Sequence, residues 1–230
     1  MTRILRVFLM TDDRSPTVDS PSTKLPTEPL APWRSPLSRA LHRNRAQAFC
    51  RFLQLATVRP DGTPANRTVV FRGFLPDSNQ LMFICDRRSE KIDQLIQNPN
   101  AEACWYFATT REQFRLSGQR QIITADTPTD SPLGVARQQL WQRISDNARD
   151  QFAWPEPKAT RTHDDPDTFS PSSPDAQTPL ATFCLLLLVP NRADYLSLRG
   201  EPQTRRLYTK ATAKESQTKQ SEWMTTEVNP

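Results

Sequence analysis

Short apolar runs separated by turn signals succeed one another through much of this chain, and their spacing constrains its fold more than any other feature. Phe52 to Val58 reads as a strand, Arg59-Pro60-Asp61-Gly62 as a turn and Ala65 to Phe74 as the returning strand. Leu81 to Cys85, Ala103 to Phe107 and Gln113 to Thr124 follow as further strands. Phe183 to Val189 is continuously apolar, as a strand buried on both faces would be. Asp194 to Leu198, Arg205 to Tyr208 and Trp223 to Val228 are shorter candidates. Seven or eight strands, mostly joined by tight connections, predict an antiparallel barrel with helices packed outside, a mainly β fold with flanking helices (α+β).

The helices have their own signals. Ser35-Pro36 reads as an N-cap followed by Pro at the first helical position, opening a helix to about Cys50. Ile92, Leu95 and Ile96 fall at helical spacing after Ser89, and Asn98-Pro99 ends that helix. Leu133 to Phe152 is helical in one or two pieces. Residues 1 to 30 are polar, Pro-rich and aperiodic, which predicts a disordered leader before a folded domain over 31–230. A second stretch of that kind, about 155–180, carries six prolines and interrupts the domain as a long loop.

Composition excludes several function classes. With only 5 glycines in 230 residues and no G-x-G-x-x-G or P-loop pattern, a Gly-rich nucleotide cradle is ruled out. Two histidines, His42 and His163, are too few for a His-based zinc cluster, and no metal site is expected. Cys50, Cys85, Cys104 and Cys184 lack C-x-x-C spacing and sit in apolar stretches, so they read as reduced, buried thiols of a cytoplasmic protein. No apolar run approaches the ~20 residues of a membrane helix, so no membrane association is expected. The surplus of +5 charges is local: residues 31 to 59 hold six arginines and no acid, whereas 155 to 182 is net acidic. That distribution suits a small phosphate-bearing ligand, and no nucleic-acid motif accompanies it.

Three pieces carry chemistry. Cys85-Asp86-Arg87-Arg88-Ser89-Glu90-Lys91 joins a strand to a helix. Free N–H groups there, with Ser89 as cap and Arg88 and Lys91 close by, make a phosphate site. Arg67-Thr68-Val69-Val70-Phe71-Arg72 is an apolar strand with a base at each end. Strand alternation puts Arg67 and Arg72 on opposite faces, so one ligand meets both only at a bulge or strand end. Gln113, Arg115 and Ser117 share one face of a later strand.

In this order and at these separations, the pieces resemble the FMN-binding family of pyridoxamine 5'-phosphate oxidase. The matching elements are Arg67 to Arg72, Ser89-Glu90-Lys91, Asn98-Pro99 and Gln113. The oxidase-related branch of that family is also matched by Ala31-Pro32-Trp33-Arg34, Phe152-Ala153-Trp154-Pro155, Arg205-Arg206-Leu207-Tyr208 and Glu227-Val228-Asn229-Pro230. The resemblance implies an FMN-binding split β-barrel, a homodimer with FMN at its interface, and cofactor contacts from Arg67, Thr68, Val69, Val70, Arg72, Ile84, Cys85, Ser89, Lys91, Gln113 and Arg205. It places the FMN phosphate against Arg67 and Lys91, and Arg205 against the isoalloxazine ring.

It implies oxidoreductase chemistry as well: a hydride passes from a small-molecule substrate, of which a pyridoxine-type phosphate is the first candidate, to flavin N5, and oxygen reoxidises the flavin. No residue is singled out as a general base. A flavin carrier or sensor without turnover is the alternative. Departures from the family pattern fall on the substrate side. Glu90 stands at a usually basic position, the oxidase's late Trp and Arg-x-His have no counterpart around Leu196 to Thr204, and its substrate-phosphate residues align only roughly with Trp141, Ser145 and Arg149.

Overall fold

The computed structural model describes residues 28–161, 166–169, 172–211 and 223–230, so almost all of the expected leader, together with His163, lies outside the described residues. Among the described residues, eight strands form one antiparallel sheet: β1 (Phe52–Val58), β2 (Pro64–Val70), β3 (Leu81–Asp86), β4 (Asn100–Phe107), β5 (Glu112–Ile123), β6 (Phe183–Ser197), β7 (Thr204–Lys210) and β8 (Trp223–Val228). Their order is β2-β1-β4-β5-β6-β7-β8, with β3 added against β6. The helices are α1 (Arg34–Arg43), α2 (Glu90–Gln97), α3 (Pro132–Arg143) and α4 (Asp146–Asp150).

The 15-residue strand β6 organises the sheet. β5 pairs with it from Leu185 to Ser197, β3 with its first half and β7 with its second. The expected separate strands Phe183–Val189 and Asp194–Leu198 are therefore one. Gly118 pairs with Pro190 and Ser117 with Arg192, leaving Asn191 as the extra residue of a bulge. Proline lacks the N–H a ladder needs and is tolerated at such a site. Gly118 is required there: a Cβ would lie 2.0 Å from the Val189 carbonyl oxygen.

Both faces of the first half of β6 are covered, which explains its unbroken apolar run. Cys184, Leu186 and Leu188 face the barrel core with Leu53, Phe83, Trp105 and Phe114. Phe183, Leu185 and Leu187 face outward onto Leu140, Trp141, Ile144 and Phe152 of the α3–α4 region. Burying each such side chain contributes about 1.5–3 kcal/mol relative to leaving it in water. The helical stretch 133–152 is thus two helices, divided at Ile144 and Ser145.

α1 is shorter than its sequence suggests. It starts at Arg34 with Trp33 at the N-cap, so Ser35 lies inside the helix, and it stops at Arg43. Asn44 ends it, donating from Nδ2 to the Ala40 carbonyl at 2.8 Å and to Thr110 Oγ1 at 3.0 Å. A 3-10 turn at Ala48–Arg51 then leads into β1. The folded part is anchored from Glu28, whose carboxylate accepts bonds from Asn79 and Lys210.

Between β2 and β3 the barrel is only partly closed. After Val70 the chain turns through Gly73, at φ +118°, toward β3. Arg72 N–H donates to the Met82 carbonyl and Met82 N–H to the Gly73 carbonyl, both at 2.9 Å. The ladder found along β2 pairs it with β1, and the one along β3 pairs it with β6, so the rest of the seam is open. This split positions the site.

Candidate functional site

A cavity of about 780 Å³ opens at that seam. Val70 lines it from β2, Arg72 from the connection, Ile84 and Cys85 from β3, and Lys91 from the first turn of α2. Five of the expected cofactor residues are therefore brought together. The opposite-face problem for the arginines is solved by the strand end: Arg72 stands beyond β2 and lines the cavity, while Arg67 points into the β1–α2 layer behind it.

Arg67 is held firmly. Its guanidinium donates to the Leu55 carbonyl at 3.1 Å, to Thr57 Oγ1 at 2.6 Å and to Gln94 Oε1 at 2.9 Å. Burial lowers its pKa, partly opposed by the nearby Cys85. Thr68 is exposed on β2 and Val69 belongs to the core, so neither side chain lines the cavity.

Around the start of α2 the side chains have sorted themselves. Ser89 occupies the N-cap position with extended dihedrals, but its hydroxyl does not bond the helix N–H groups. It donates instead to the Asp86 carbonyl at 2.7 Å and accepts from Lys91 Nζ at 2.9 Å. The first turn thus retains N–H groups without a side-chain cap, next to a lysine with N–H bonds to spare. Arg88, expected nearby, is diverted: it binds both oxygens of Asp86 at 2.6 and 3.0 Å and donates to the Trp154 carbonyl at 2.9 Å. That pairing neutralises the Asp86 carboxylate, which would otherwise repel an anion in the cavity. Glu90, the acidic departure, pairs with Arg59 at 3.7 Å and with Lys158, and accepts from Gln94 Nε2 at 2.8 Å.

Arg72 is half-buried in the cavity lining. Burial and the neighbouring Arg51 both lower its pKa, and its buried Nε has no acceptor among the described residues. An anionic group would relieve both penalties. Buried Cys85 has its thiol pushed up by desolvation even with Lys91 and Arg67 alongside, so it is a neutral wall and not a nucleophile. All four cysteines are free; Cys50, Cys85 and Cys184 are buried as expected, whereas Cys104 is only half-buried, because its side chain faces outward from β4.

Gln113 and Arg205 are not at this cavity. They lie in one row across β5, β6 and β7, with Gln113 opposite Leu196 and Leu196 opposite Arg205. Asp194 fixes Arg205 through two bonds of 2.7 and 3.0 Å. Arg115 joins the cluster, 3.7 Å from Asp194 and 2.8 Å from Glu102. The expected residues thus divide between the cavity lining and a polar row, with Arg67, Thr68, Val69 and Ser89 in neither.

Comparison with known proteins gives this arrangement its context. Residues 30–124 match the family model described as the FMN-binding domain of pyridoxamine 5'-phosphate oxidase. Over 201 residues the chain is 35% identical to pyridoxine/pyridoxamine 5'-phosphate oxidase 2 of Arabidopsis thaliana, covering 87% of this chain and 98% of that protein. It belongs to the pyridoxamine 5'-phosphate oxidase family. Among solved structures, a pyridoxamine 5'-phosphate oxidase-related, FMN-binding protein from Nostoc punctiforme aligns with a TM-score of 0.81 at 51% identity, over 88% of this chain and all of the other. PhzG from Burkholderia lata shares the fold at a TM-score of 0.63 and 18% identity, over 89% of this chain and 94% of that one.

The donor set fits the FMN of this oxidase family. Lys91 and the uncapped first turn of α2 are donors suited to a phosphorylated ligand, and the edges of β2 and β3 that face the seam offer backbone groups beside it. Thr57 and Gln94, which lock Arg67 in place, were not foreseen. The one available signal was Gln94 itself, a polar residue between Ile92 and Leu95 on the apolar face of α2, where it is 1% exposed. The substrate-side alignment fares differently. Trp141 is fully buried and donates to the Asp175 carbonyl at 2.9 Å. Arg149, also buried, donates to the Trp141 and Ile144 carbonyls at 3.2 and 2.7 Å. These side chains hold the helix pair together instead of facing the cavity.

Proposed function

We propose that this protein is an FMN-dependent oxidoreductase acting on a small anionic substrate, and that it works as a homodimer. The observation that carries the reading is the convergence of Val70, Arg72, Ile84, Cys85 and Lys91 on one cavity, in a chain of an FMN-binding family. In this reading Lys91 and the first turn of α2 hold the cofactor phosphate, and Arg67 shapes that end of the site from behind. Gln113 and Arg205 complete the site from the partner protomer, which accounts for their separation from the cavity within one chain.

FMN, when bound, supplies a hydride acceptor at N5 and a route for electrons to oxygen. The protein's share is binding, orientation and charge. Arg205, held by Asp194, presents an oriented guanidinium whose remaining N–H groups would donate to the ring. Arg72 receives a substrate anion. The inward orientation of Trp141 and Arg149 supports a substrate grip different from the one the oxidase resemblance implies.

An anaerobic absorbance titration with pyridoxamine 5'-phosphate tests the reading. Flavin bands that bleach on addition support turnover of that substrate. Bands that persist with it but bleach with another small anion support the oxidoreductase with a different substrate. Bands that no reductant substrate bleaches favour a flavin carrier or sensor, and a protein without bands after soaking in FMN overturns the proposal.

A further inference from the structure

Several arginines of this fold are matched by carboxylates. Arg88 binds Asp86, Arg115 binds Glu102 and Arg205 binds Asp194. On α2, Glu90 takes up Arg59 and Lys158. Arg67 is treated differently. Among the described residues its guanidinium meets only neutral acceptors, namely the Leu55 carbonyl, the Thr57 hydroxyl and the Gln94 amide.

Gln94 is the centre of that arrangement. It is buried on the apolar face of α2, where an amide is costly unless it is bonded. Its Oε1 accepts from the Thr57 hydroxyl at 2.6 Å and from Arg67 at 2.9 Å, while its Nε2 donates to Glu90 Oε1 at 2.8 Å. The Thr57 hydroxyl in turn accepts from Arg67 at 2.6 Å, which closes a triangle of three side chains. A guanidinium only donates, so the amide has to turn its oxygen toward Arg67 and its nitrogen toward Glu90.

A carboxylate in place of this amide would accept the same two bonds and add an ion pair, the usual arrangement for a buried arginine. The neutral amide fixes the guanidinium and leaves its charge uncompensated. Arg67 does not line the cavity, but the charges of Arg67 and Lys91 both act on the buried Cys85 thiol, which does. The positive charge therefore stands behind the cavity wall, where the low dielectric of the interior carries its field.

We infer that Gln94 is a positioning residue of the cofactor site. By holding Arg67 with a neutral acceptor, it keeps an uncompensated positive charge behind the cavity and so sets the preference for FMN over riboflavin, the same flavin without a phosphate. Gln94 acts through Arg67 and touches no ligand itself. The inference rests on the reading that places the cofactor phosphate at Lys91 and the first turn of α2.

The test titrates flavin-free, full-length protein with FMN and with riboflavin, followed by flavin fluorescence, with urea midpoints taken on the same samples. Wild type is expected to bind FMN more tightly than riboflavin. Gln94→Glu keeps both acceptor bonds but neutralises Arg67, whose guanidinium in turn keeps the new carboxyl ionised. It is expected to weaken FMN about tenfold and leave riboflavin within about twofold of wild type. A purely structural role for Gln94 predicts no such selective loss, because the new ion pair holds the guanidinium at least as firmly. The same substitution is made beside Glu90→Gln, which removes the neighbouring carboxylate and so covers the case in which Gln94→Glu alone fails to fold. Relative to Glu90→Gln, the double variant is again expected to lose about tenfold in FMN affinity and to keep its riboflavin affinity. An unaltered ratio of the two affinities in both backgrounds, or an equal loss of both flavins, overturns the inference. Wild type that binds the two flavins equally refutes the phosphate reading and the inference with it, whereas a wild-type preference for FMN that survives Gln94→Glu refutes the inference alone.

Discussion

Asp194 holds Arg205 with both carboxylate oxygens, at 2.7 and 3.0 Å, across adjacent strands of the sheet. Asp194 is itself buried, and the same carboxylate lies 3.7 Å from Arg115. A two-point grip of this kind fixes the plane of a guanidinium as well as its position. In the proposed dimer, Arg205 therefore reaches the cofactor pre-oriented.

Asp194→Asn removes the charge from that grip and leaves one hydrogen-bond acceptor. Binding of FMN is expected to weaken about tenfold, equivalent to ~1.4 kcal/mol, with the far-ultraviolet circular dichroism unchanged. Fluorescence titration of the protein with FMN measures it, and an unaltered dissociation constant would separate Arg205 from the cofactor.

Glu102 gives the fold an acid-sensitive element. Burial pushes its carboxyl up, but hydrogen bonds from Arg115 and Ser117 prevail and hold it below its ordinary 4.5. A lowered folded pKa stabilises the protein above the unfolded value, and that contribution disappears as pH falls through the folded one. Urea midpoints should therefore drop between about pH 5 and pH 3, and Glu102→Gln should flatten the drop. Identical pH profiles for the two proteins would contradict this assignment.

Gly118→Ala tests the β6 bulge. The new methyl group would meet backbone rather than a flexible side chain, and overpacking of this sort costs about 1–3 kcal/mol. A chemical denaturation midpoint equal to wild type would show that the strand crossing at Val189 and Pro190 is looser than described.

The buried thiols should be silent. Desolvation pushes Cys184 up to about 12, and Cys85 is raised for the same reason. Both are expected to resist thiol-directed labelling at neutral pH until the protein is unfolded, as followed by mass spectrometry of labelled peptides. Rapid native labelling of Cys85 would mean that the cavity wall opens readily.

How much of this was legible in the sequence depends on the range of the interaction that decided each element. The hairpin of β1 and β2 is set by local turn chemistry and alternation and is legible in the sequence, except that β2 ends at Val70, short of the expected Phe74. The burial of Phe183 to Val189 is legible too, because covering both faces of a strand leaves a run without polar alternation. The merging of that run with Asp194 to Leu198 was hidden, since Pro190 resembles a terminator unless the bulge opposite Gly118 is known. The end of α1 was misplaced because Asn44 caps it through Thr110, which is 66 residues away. At the site, residue type and position single out Lys91 and Arg72, and both line the cavity. The diversion of Arg88 to Asp86 and the locking of Arg67 by Thr57 and Gln94 depend on side-chain partners that spacing alone does not reveal.

Retention of FMN by the cavity residues is the most direct test of the whole account. Purified protein is saturated with FMN, freed of excess by gel filtration and read by visible absorbance, alongside Arg67→Ala/Lys91→Ala and the milder Lys91→Gln. Wild type is expected to keep close to one flavin per chain, Lys91→Gln to keep distinctly less, and the double variant to keep almost none while retaining its circular dichroism. Equal flavin in all three folded proteins, or none in wild type, would contradict the assignment of this cavity to the cofactor phosphate.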